Sequence, residues 1–482
     1  MISNIIKLNS SSINKTPIKL SLEKDKKPES LLSFPGKVLA DEASGRLFIT
    51  DSNHNRVIVS DLEGNILSII GSGKEGQKDG KFEEASFFHP QGLALMGDVL
   101  YIADTENHLI RKAEMKTGTV TTIAGLGRQV YERNPHGEAR RTGLNSPWDL
   151  TINDNVLYIA MAGQHQLWAL NLSDNTIRIH AGTGQENILD GALKSALLSQ
   201  PSGVTTDGKK LYFADSEVSA VRSADFNPVN GKVSTIIGKG LFEFGDIDGD
   251  SRRARLQHPL GIVYHNGKLY LADTYNNKIK VVDPLEHTSR TYAGTGTEGM
   301  DDGSLTKAMF NEPGGISYAK GKLYVADTDN NLIRVIDMSS GEVSTLQLKG
   351  IEKLRKAFAF NEKDFHGDKE VLSGVNLSKL KAINLNLSFQ NNYGLNHEAP
   401  SKIRIFSKDG KINLEKNITS PKMKIDLAGL NGTDKLYSEM VVYYCKEGNE
   451  GLCLIKDVLF EINNSPEGRD RLEINYNLAA AK

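Results

Sequence analysis

Two histidines occupy matching places in this 482-residue sequence and could bind a metal together. His89 and His258 each stand directly before a proline that begins a recurring motif. Zinc needs three or four imidazole, carboxylate or thiolate ligands, so a further ligand would have to come from a polar turn. The candidates are His54, His108 and His165. The alternative is that all of these are ordinary hydrogen-bonding histidines, and we expect no metal and no other cofactor.

A row of aspartates resembles part of a calcium loop. The segment GDIDGDSRRARLQ places Asp246, Asp248 and Asp250 at alternate positions. An EF-hand loop also needs a glycine at its sixth position and a glutamate at its twelfth, and both are missing from this segment. Other copies of the recurring motif carry Asp-Gly at the same point, so Asp248 more simply belongs to a turn.

The two cysteines of the chain, Cys445 and Cys453, flank the polar segment KEGNEGL. Across a hairpin they could form a disulfide bridge, or they could remain reduced thiols, and the spacing does not decide between the two. The sequence contains no Gly-x-Ser-x-Gly, P-loop, dinucleotide-binding or His-Glu-x-x-His motif. These patterns therefore give no strong indication of catalysis.

Five aspartates each end a strand-like run and begin a polar turn. They are Asp51, Asp104, Asp215, Asp273 and Asp327. Such carboxylates can accept hydrogen bonds from backbone N–H groups two or three residues further on. Seven residues later stand Arg111, Arg222, Lys280 and Arg334 in four copies, while the first copy has Ile58 there and Arg56 nearer. A hairpin with a six-residue loop would place acid and base opposite each other, which predicts an ion pair within each repeat and a poorer fit in the first.

The third copy of the motif has lost both members of this pair. Met161 replaces the acid and Trp168 replaces the base, which is what apolar packing in place of an ion pair would look like. Both tryptophans of the chain fall in this copy, and tryptophan is favoured in binding hot spots as well as in cores. Packing and partner binding are therefore both open, and we take this sector, with the two matched histidines, as the candidate contact surface. The candidate binding residues are Trp148, Asp149, Met161, Gln164, His165, His89 and His258.

These residues belong to six repeats, each of which begins with a Pro-x-Gly-aliphatic element or a variant of it. The prolines recur at intervals of 54 to 58 residues and are Pro35, Pro90, Pro147, Pro201, Pro259 and Pro313. Each unit contains about four short strands by its alternation of apolar and polar residues. A four-stranded sheet that is apolar on both faces cannot bury itself alone, so the units must stack radially. We predict an all-β chain with a six-bladed β-propeller at 34–348.

The remaining segments differ in composition. Residues 1–33 are polar and rich in lysine, and we treat them as an N-terminal extension. Residues 349–370 are charged and irregular, which is typical of a linker. Alternating runs such as MVVYYC and CLIKDVLFEI fill 371–482. They predict a small antiparallel β-sandwich domain.

The repeated stretches resemble a known family. LYIADTENHLIRK and its siblings are similar to NHL repeats, and SPWD, IAMAGQHQLWAL, QPSG, LQHPLG, FNEPGG and VVYYC resemble the NHL-repeat-containing protein 2 family. The resemblance runs from about Phe34 to the end of the chain and implies a six-bladed propeller followed by a β-stranded domain. In that family a thioredoxin-like domain usually precedes the propeller. No Cys-x-x-Cys occurs and 33 residues precede Phe34, so we expect any such redox chemistry to come from a separate thioredoxin-like partner.

The bulk composition limits the classes of partner. Lys and Arg number 58 against 60 Asp and Glu, a net charge of −2 that gives no field to gather nucleic acid or an anionic membrane. No apolar run has the length of a signal peptide or spanning helix, so the expected localisation is the cytoplasm. We predict a non-catalytic protein-interaction scaffold that binds through the end face of the propeller. The alternatives are a metal-dependent hydrolase or lyase in the central funnel, and a thiol-redox accessory protein.

Overall fold

The computed structural model describes residues 31–132, 136–350, 365, 367–390, 392–396, 401–407, 412–427, 434–446 and 453–478. The described residues fall into two compact units, 31–350 and 365–478. Each unit is built of β-strands, as the sequence predicted. Among the described residues, no helix has the length and hydropathy that crossing a membrane would require.

The described strands of the first unit form six antiparallel sheets, which we call blades one to six. Blade one contains β1 (Pro35–Asp41), β2 (Arg46–Asp51), β3 (Arg56–Asp61) and β4 (Ile66–Ile70). Blade two contains β5 (Gly80–Lys81), β6 (Pro90–Met96), β7 (Val99–Asp104), β8 (Leu109–Glu114) and β9 (Thr119–Ala124). Blade three contains β10 (His136–Glu138), β11 (Pro147–Asn153), β12 (Val156–Met161), β13 (Gln166–Asn171) and β14 (Thr176–Ala181).

Blades four to six repeat the same order. Blade four contains β15 (Gly191–Ala192), β16 (Pro201–Thr206), β17 (Lys210–Asp215), β18 (Ala220–Asp225) and β19 (Lys232–Ile237). Blade five contains β20 (Gly249–Asp250), β21 (Gly261–His265), β22 (Lys268–Asp273), β23 (Lys278–Asp283) and β24 (Thr288–Ala293). Blade six contains β25 (Gly303–Ser304), β26 (Pro313–Ala319), β27 (Lys322–Asp327), β28 (Leu332–Asp337) and β29 (Glu342–Thr345). Short 3-10 helices occupy Ser52–His54, Ala139–Arg141, Ala162–Gln164, Ser216–Val218 and Thr274–Asn276.

The blades close into a ring. Strands β1, β6, β11, β16, β21 and β26 contact one another in that cyclic order, and β26 contacts β1. Each of the six buried clusters of this unit draws on two neighbouring blades; one cluster, for example, joins Leu47 of blade one to Tyr324 of blade six. Sheets buried on both faces in this way explain why strands such as β7 are almost continuously apolar. The predicted β-propeller is confirmed.

The two ends of this unit reach slightly beyond the predicted limits of 34 and 348. Leu32 is buried in the cluster between blades six and one. Lys349 accepts a hydrogen bond from the N–H of Ile66 (2.9 Å) and donates one to the carbonyl of Gly64 (2.9 Å). The chain segment after blade six therefore pairs with blade one where β4 begins.

One end of the propeller carries most of the polar turns, and we call it the connector face. The first strand of each blade starts there and the second ends there, as the pairing of Pro35 with Asp51 shows. The connectors that join one blade to the next start and finish on this face. The opposite face carries the tight turns, for example those that contain Val229 and Leu285.

The second unit packs two sheets over one core. One sheet has the order β30-β37-β36-β33-β34 with β32 added on β36, and the other has the order β35-β31-β38. Its strands are β30 (Asp368–Val375), β31 (Ala382–Phe389), β32 (Tyr393–Leu395), β33 (Lys402–Ser407), β34 (Asn413–Asn417), β35 (Lys422–Asp426), β36 (Lys435–Lys446), β37 (Cys453–Asn464) and β38 (Leu472–Leu478). Leu385 of one sheet and Met440 of the other share the buried cluster. Two pairings, β30 with β37 and β31 with β38, are parallel, whereas the sequence predicted antiparallel pairing. Alternation of residue types does not distinguish the two.

Candidate functional site

Each aspartate of the repeated series is the centre of a buried hydrogen-bond network. In blade two, Asp104 accepts the backbone N–H of Phe88 (2.8 Å) and the side chains of Asn107 (2.9 Å) and Arg111 (2.7 Å). Arg111 is fully buried and also binds Asp79 of the connector (2.8 Å). The backbone donor lies 16 residues upstream rather than two or three downstream as predicted. The carboxylate therefore ties the strand end to the connector that enters the same blade.

The predicted ion pair is confirmed in three blades. Besides Asp104 and Arg111, it joins Asp215 to Arg222 (2.8 Å) and Asp327 to Arg334 (2.9 Å). The partners are diagonal rather than opposite, because in the register Arg111 faces Ile102 and the loop has four residues instead of six. Diagonal neighbours on one face of a sheet remain within reach of a long side chain.

Blades one and five depart from the prediction in opposite directions. In blade one, Arg56 lies directly opposite Asp51 and its Nε is 2.7 Å from Oδ2, so the expected poor fit was wrong. In blade five the predicted pair of Asp273 with Lys280 is not formed. The described contacts of the Lys280 ammonium are with Asp246, Asp248 and a threonine, because lysine lacks the fork of an arginine. Burial raises the pKa of Asp273 to about 7.

Blade three fills the place of the ion pair with apolar side chains, as predicted. Met161 and Trp168 are both fully buried in the cluster between blades two and three. The sulfur of Met161 lies 3.5 Å from the backbone nitrogen of Asn145, where other blades place a carboxylate oxygen. Trp168 donates its Nε1–H to the side chain of Gln166 (3.0 Å). A partner on the surface would not touch Met161.

A ring of six hydrogen bonds joins each blade to the next on the connector face. A turn side chain accepts the backbone N–H of the residue before the next repeat proline at 2.7–3.1 Å. The pairs are Asn55 with His89, His108 with Ser146, His165 with Gln200, Ser219 with His258, Asn277 with Glu312, and Asn331 with Phe34. All twelve residues have positive φ. The backbone of the inter-blade joint is thus held in a conformation that non-glycine residues rarely adopt.

Several candidate residues have structural roles in these hydrogen bonds between blades or in the connector beside them. His108 and His165 accept through Nδ1, which requires that this nitrogen carry no proton. Gln164 is buried and donates to the carbonyl of Val130 in the connector. Sequence reasoning placed His165 and Gln164 on a contact surface, whereas their bonds hold the joint between blades and the connector.

Blade three also lacks one inter-blade bond that the other five have. A hydroxyl directly after the strand-ending residue donates to the carbonyl of the next repeat proline at 2.6–2.9 Å. The donors are Ser52, Thr105, Ser216, Thr274 and Thr328. Blade three has Ala162 at this position, which has no hydroxyl. Its joint with blade four has instead the bonds of Asp149 with the N–H of Val204 (3.1 Å) and of His180 with the carbonyl of Asp225 (3.0 Å).

The matched histidines do not meet at a common site. His258 stacks on Tyr275 with ring centroids 4.7 Å apart, and its Nδ1 lies 3.8 Å from Glu217. The ring of His89 packs against Phe88 at 4.8 Å. Among the residues that the structure describes, no group of three His, Cys, Asp or Glu is placed to hold a metal ion. The aspartates of the calcium-like loop bind cations of the chain itself, as Asp246 does with Lys278.

A buried ion pair closes the axis of the propeller. Lys37 extends from β1 across the ring, with Nζ 3.5 Å from Oδ2 of Asp149. The same ammonium donates to the backbone carbonyls of Ser202 (2.9 Å) and Leu260. Burial lowers the pKa of Lys37, and the carboxylate of Asp149 opposes this shift. Burial also raises the pKa of Asp149, which Lys37 opposes. The side chain of Asp149 thus lies inside the ring rather than on a contact surface.

The axis is narrow because the equivalent position in the other four blades is glycine. These residues are Gly92, Gly203, Gly261 and Gly315. A Cβ on Gly92 would lie 2.3 Å from the Cα of Asp149, and one on Gly315 would lie 2.7 Å from the Cα of Lys37. Sequence reasoning missed Lys37. The available signal was that one lysine and one aspartate, of opposite charge, replace glycine at the same place in the repeat.

The two cysteines lie in the second unit. The register of β36 and β37 places Cys445 opposite Cys453. Cys445 is disulfide-bonded.

The comparisons with known proteins agree with this architecture. The NHL repeat family model matches residues 310–336. The chain is 38% identical to "Protein SUPPRESSOR OF QUENCHING 1, chloroplastic" of Arabidopsis thaliana, over 93% of this chain and 45% of that protein. It is 41% identical to "NHL repeat-containing protein 2" of Bos taurus, over 69% of this chain and 50% of that protein. The chain thus spans about half the length of the curated relatives it matches.

Among solved structures, a nidogen/laminin complex matches with a TM-score of 0.42 and 15% identity, over 63% of this chain and 92% of that one. The family model falls within blade six, on the strand–turn–strand unit that recurs around the ring. The repeats, the ring of sheets and the identity with these relatives lead to one conclusion. The chain is an NHL-repeat β-propeller protein of the NHL repeat-containing protein 2 family.

Proposed function

We propose that this chain is a non-catalytic protein-interaction scaffold that binds a protein partner on the connector face of its propeller. The observation that carries the proposal is a set of large apolar side chains exposed on that face. Phe242 is 87% exposed and Phe244 58% exposed, and Tyr131 is 71% exposed. Exposed aromatic residues that cluster on one face are typical of protein-binding surfaces.

Two of the connectors are longer than the rest, and they carry these aromatic residues. From Gly238 to Gly249 the connector that enters blade five is two residues longer than the equivalent Gly182 to Gly191 of blade four. The lengthened stretch, residues 241–244, contains Phe242 and Phe244. The connector that enters blade three is also longer and carries Tyr131. Extra loop length that presents aromatic side chains to solvent serves recognition better than it serves packing.

The closed axis favours the scaffold over an enzyme with a site in the central funnel. The ammonium of Lys37 and the carboxylate of Asp149 occupy the position where a substrate or metal would bind inside the ring. Trp148, next to Asp149 in the sequence, and His165 are both half-buried, whereas the other candidate residues of blade three are buried. A thioredoxin-like protein is the partner that the family resemblance suggests, and localisation in the cytoplasm remains a prediction.

Affinity capture with matched variants tests the proposal. The double variant Phe242→Ser and Phe244→Ser removes the aromatic groups from the connector face. The control is Val229→Ser and Leu285→Ser, since these side chains are 83% and 85% exposed on the opposite face. We expect partners captured by the unmodified chain to be lost with the first variant and kept with the second. Equal capture by both variants, with both folded, would overturn the proposal.

A further inference from the structure

The aromatic surface at the joint of blades four, five and six is surrounded by acidic groups. Tyr275 is 50% exposed and stacks on His258. The carbonyl of Gly245, which follows Phe244, accepts a hydrogen bond from Asn276, which follows Tyr275 (2.8 Å). The long connector of blade five therefore lies beside Tyr275 and adds its exposed phenylalanine to the same surface.

Two carboxylates lie near Tyr275 and a third lies near Glu312, and none has a lysine or arginine partner in the described part of the chain. They are Glu217, Glu298 and Glu312, all exposed, and no lysine or arginine of the described residues lies within 4.0 Å of them. The described ionic contact of the Glu217 carboxylate is with the imidazole of His258 (3.8 Å). Two nearby basic residues are already paired, Lys278 of β23 with Asp246 and Arg255 of the connector with Glu243.

The charges of this surface repel one another in the free protein. Partial burial raises the pKa of Glu312, and the negative charges of Asp329 and Glu298 raise it further. Burial also raises the pKa of the Tyr275 hydroxyl, as do Glu312 and Glu217. A positive group that binds there would relieve this repulsion. An aromatic ring next to carboxylates is also the arrangement that attracts a lysine or arginine side chain.

We propose that the surface formed by Tyr275, Phe244, Glu217 and Glu312 binds a basic segment of a protein partner, with a lysine or arginine side chain placed over Tyr275. This inference rests on the proposed function, because it names the chemistry of the partner that the connector face would take. Phe244 and Met300, 58% and 64% exposed, provide apolar contact for the residues next to the basic side chain. Specificity would come from the charges, and the buried area from the aromatic groups.

Binding of a labelled synthetic peptide of alternating arginine and leucine to the full chain, followed by fluorescence anisotropy, tests the inference. The variant Glu217→Gln and Glu312→Gln should weaken binding by about tenfold, because two attractive charges are lost. The control Glu63→Gln and Glu286→Gln removes the same charge from exposed turns of the opposite face and should leave binding unchanged. Equal weakening by both variants would show nonspecific attraction and overturn the inference.

Two further variants test the role of the ring. Tyr275→Ala should weaken binding of the peptide by about tenfold, whereas Tyr275→Phe should keep most of it, since the aromatic face attracts the cation. If Tyr275→Ala binds the peptide as well as the unmodified chain does, the aromatic ring of Tyr275 is not part of the binding site. If a captured partner is lost with the Phe242 and Phe244 variant but kept with the Glu217 and Glu312 variant, the scaffold function stands and the basic segment is wrong.

Discussion

Lys37 of blade one reaches across the axis of the propeller to Asp149 of blade three, with 3.5 Å between Nζ and Oδ2. The two blades are not neighbours in the ring, and the same ammonium also binds carbonyls of blades four and five. The ammonium of Lys37 and the carboxylate of Asp149 are both buried and form an ion pair. Breaking such a pair by removing one member leaves an uncompensated buried charge.

We expect the variant Lys37→Gly to destabilise the propeller by about 3–5 kcal/mol, because Asp149 would remain buried without its cation. The double variant Lys37→Gly and Asp149→Gly gives every blade the glycine that four of them already have. It should cost less than the single variant, although it removes more atoms. Thermal unfolding followed by the fluorescence of the two tryptophans, Trp148 and Trp168, measures both. A double variant less stable than Lys37→Gly would contradict this account.

Replacing Lys280 of blade five by arginine should stabilise the propeller. Burial raises the pKa of Asp273 to about 7, above its unfolded value of about 3.9. The native state therefore binds more protons between these values, and the contribution of this group to stability is lost as the pH rises towards 7. Lys280→Arg would let the side chain bind both Asp273 and Asp248, as Arg334 binds Asp327 and Asp302.

Lys280→Arg should accordingly raise the melting temperature, and by more at about pH 8 than at about pH 5, because the new contact lowers the pKa of Asp273. The converse variant Arg334→Lys in blade six should be destabilising by about 1–3 kcal/mol, since the buried carboxylate of Asp327 loses a charged donor. Equal effects of Lys280→Arg at the two pH values would show that Asp273 is not involved.

Acid should weaken the joint of blades three and four through His180. Burial and the nearby charge of Arg178 lower the pKa of His180 to about 4, although the carbonyl and carboxylate of Asp225 oppose the shift. The unfolded chain has a histidine pKa of about 6.5 and binds a proton first, so the stability contribution is present above that pH and is lost on acidification towards 4.

The variant His180→Gln keeps a donor for the carbonyl of Asp225 and removes the titration. Its melting temperature should fall less than that of the unmodified chain between about pH 7 and pH 5. Parallel pH profiles of the two proteins would assign the acid lability to other groups, such as His108, whose pKa is also lowered by burial.

Blade three offers a test of the exchange between charge and apolar packing. Met161→Asp alone should cost about 3–5 kcal/mol, since it buries a carboxylate beside Trp168 without a cation. Adding Trp168→Arg should recover part of the loss, because the Asp–Arg pair of the other blades becomes available. Recovery should be incomplete, since the connector has His136 where others have the aspartate that binds this arginine. Chemical denaturation of the three proteins provides the comparison.

The repeat was strong enough in the sequence to predict the ring of sheets and the Asp–Arg pairs. What it did not reveal depends on distances between residues far apart in the chain. Arg56 fits Asp51 because the loop is shorter than predicted. Lys37 was missed because its partner Asp149 belongs to a blade that is not adjacent in the ring, so their contact depends on closure of the ring. His165 was assigned to a surface because the inter-blade bond to Gln200 follows from ring closure and not from local pattern.

The ring closure also has a consequence for synthesis of the chain. Lys349 pairs with the start of β4, and Asn331 binds Phe34, so the first blade lacks these contacts until the sixth has left the ribosome. Synthesis proceeds at roughly 5–20 residues per second, so the sheet of blade one would lack these contacts for tens of seconds. A nascent chain of this protein should therefore depend on chaperones until its last propeller strand emerges. It should then become resistant to protease in a single late step.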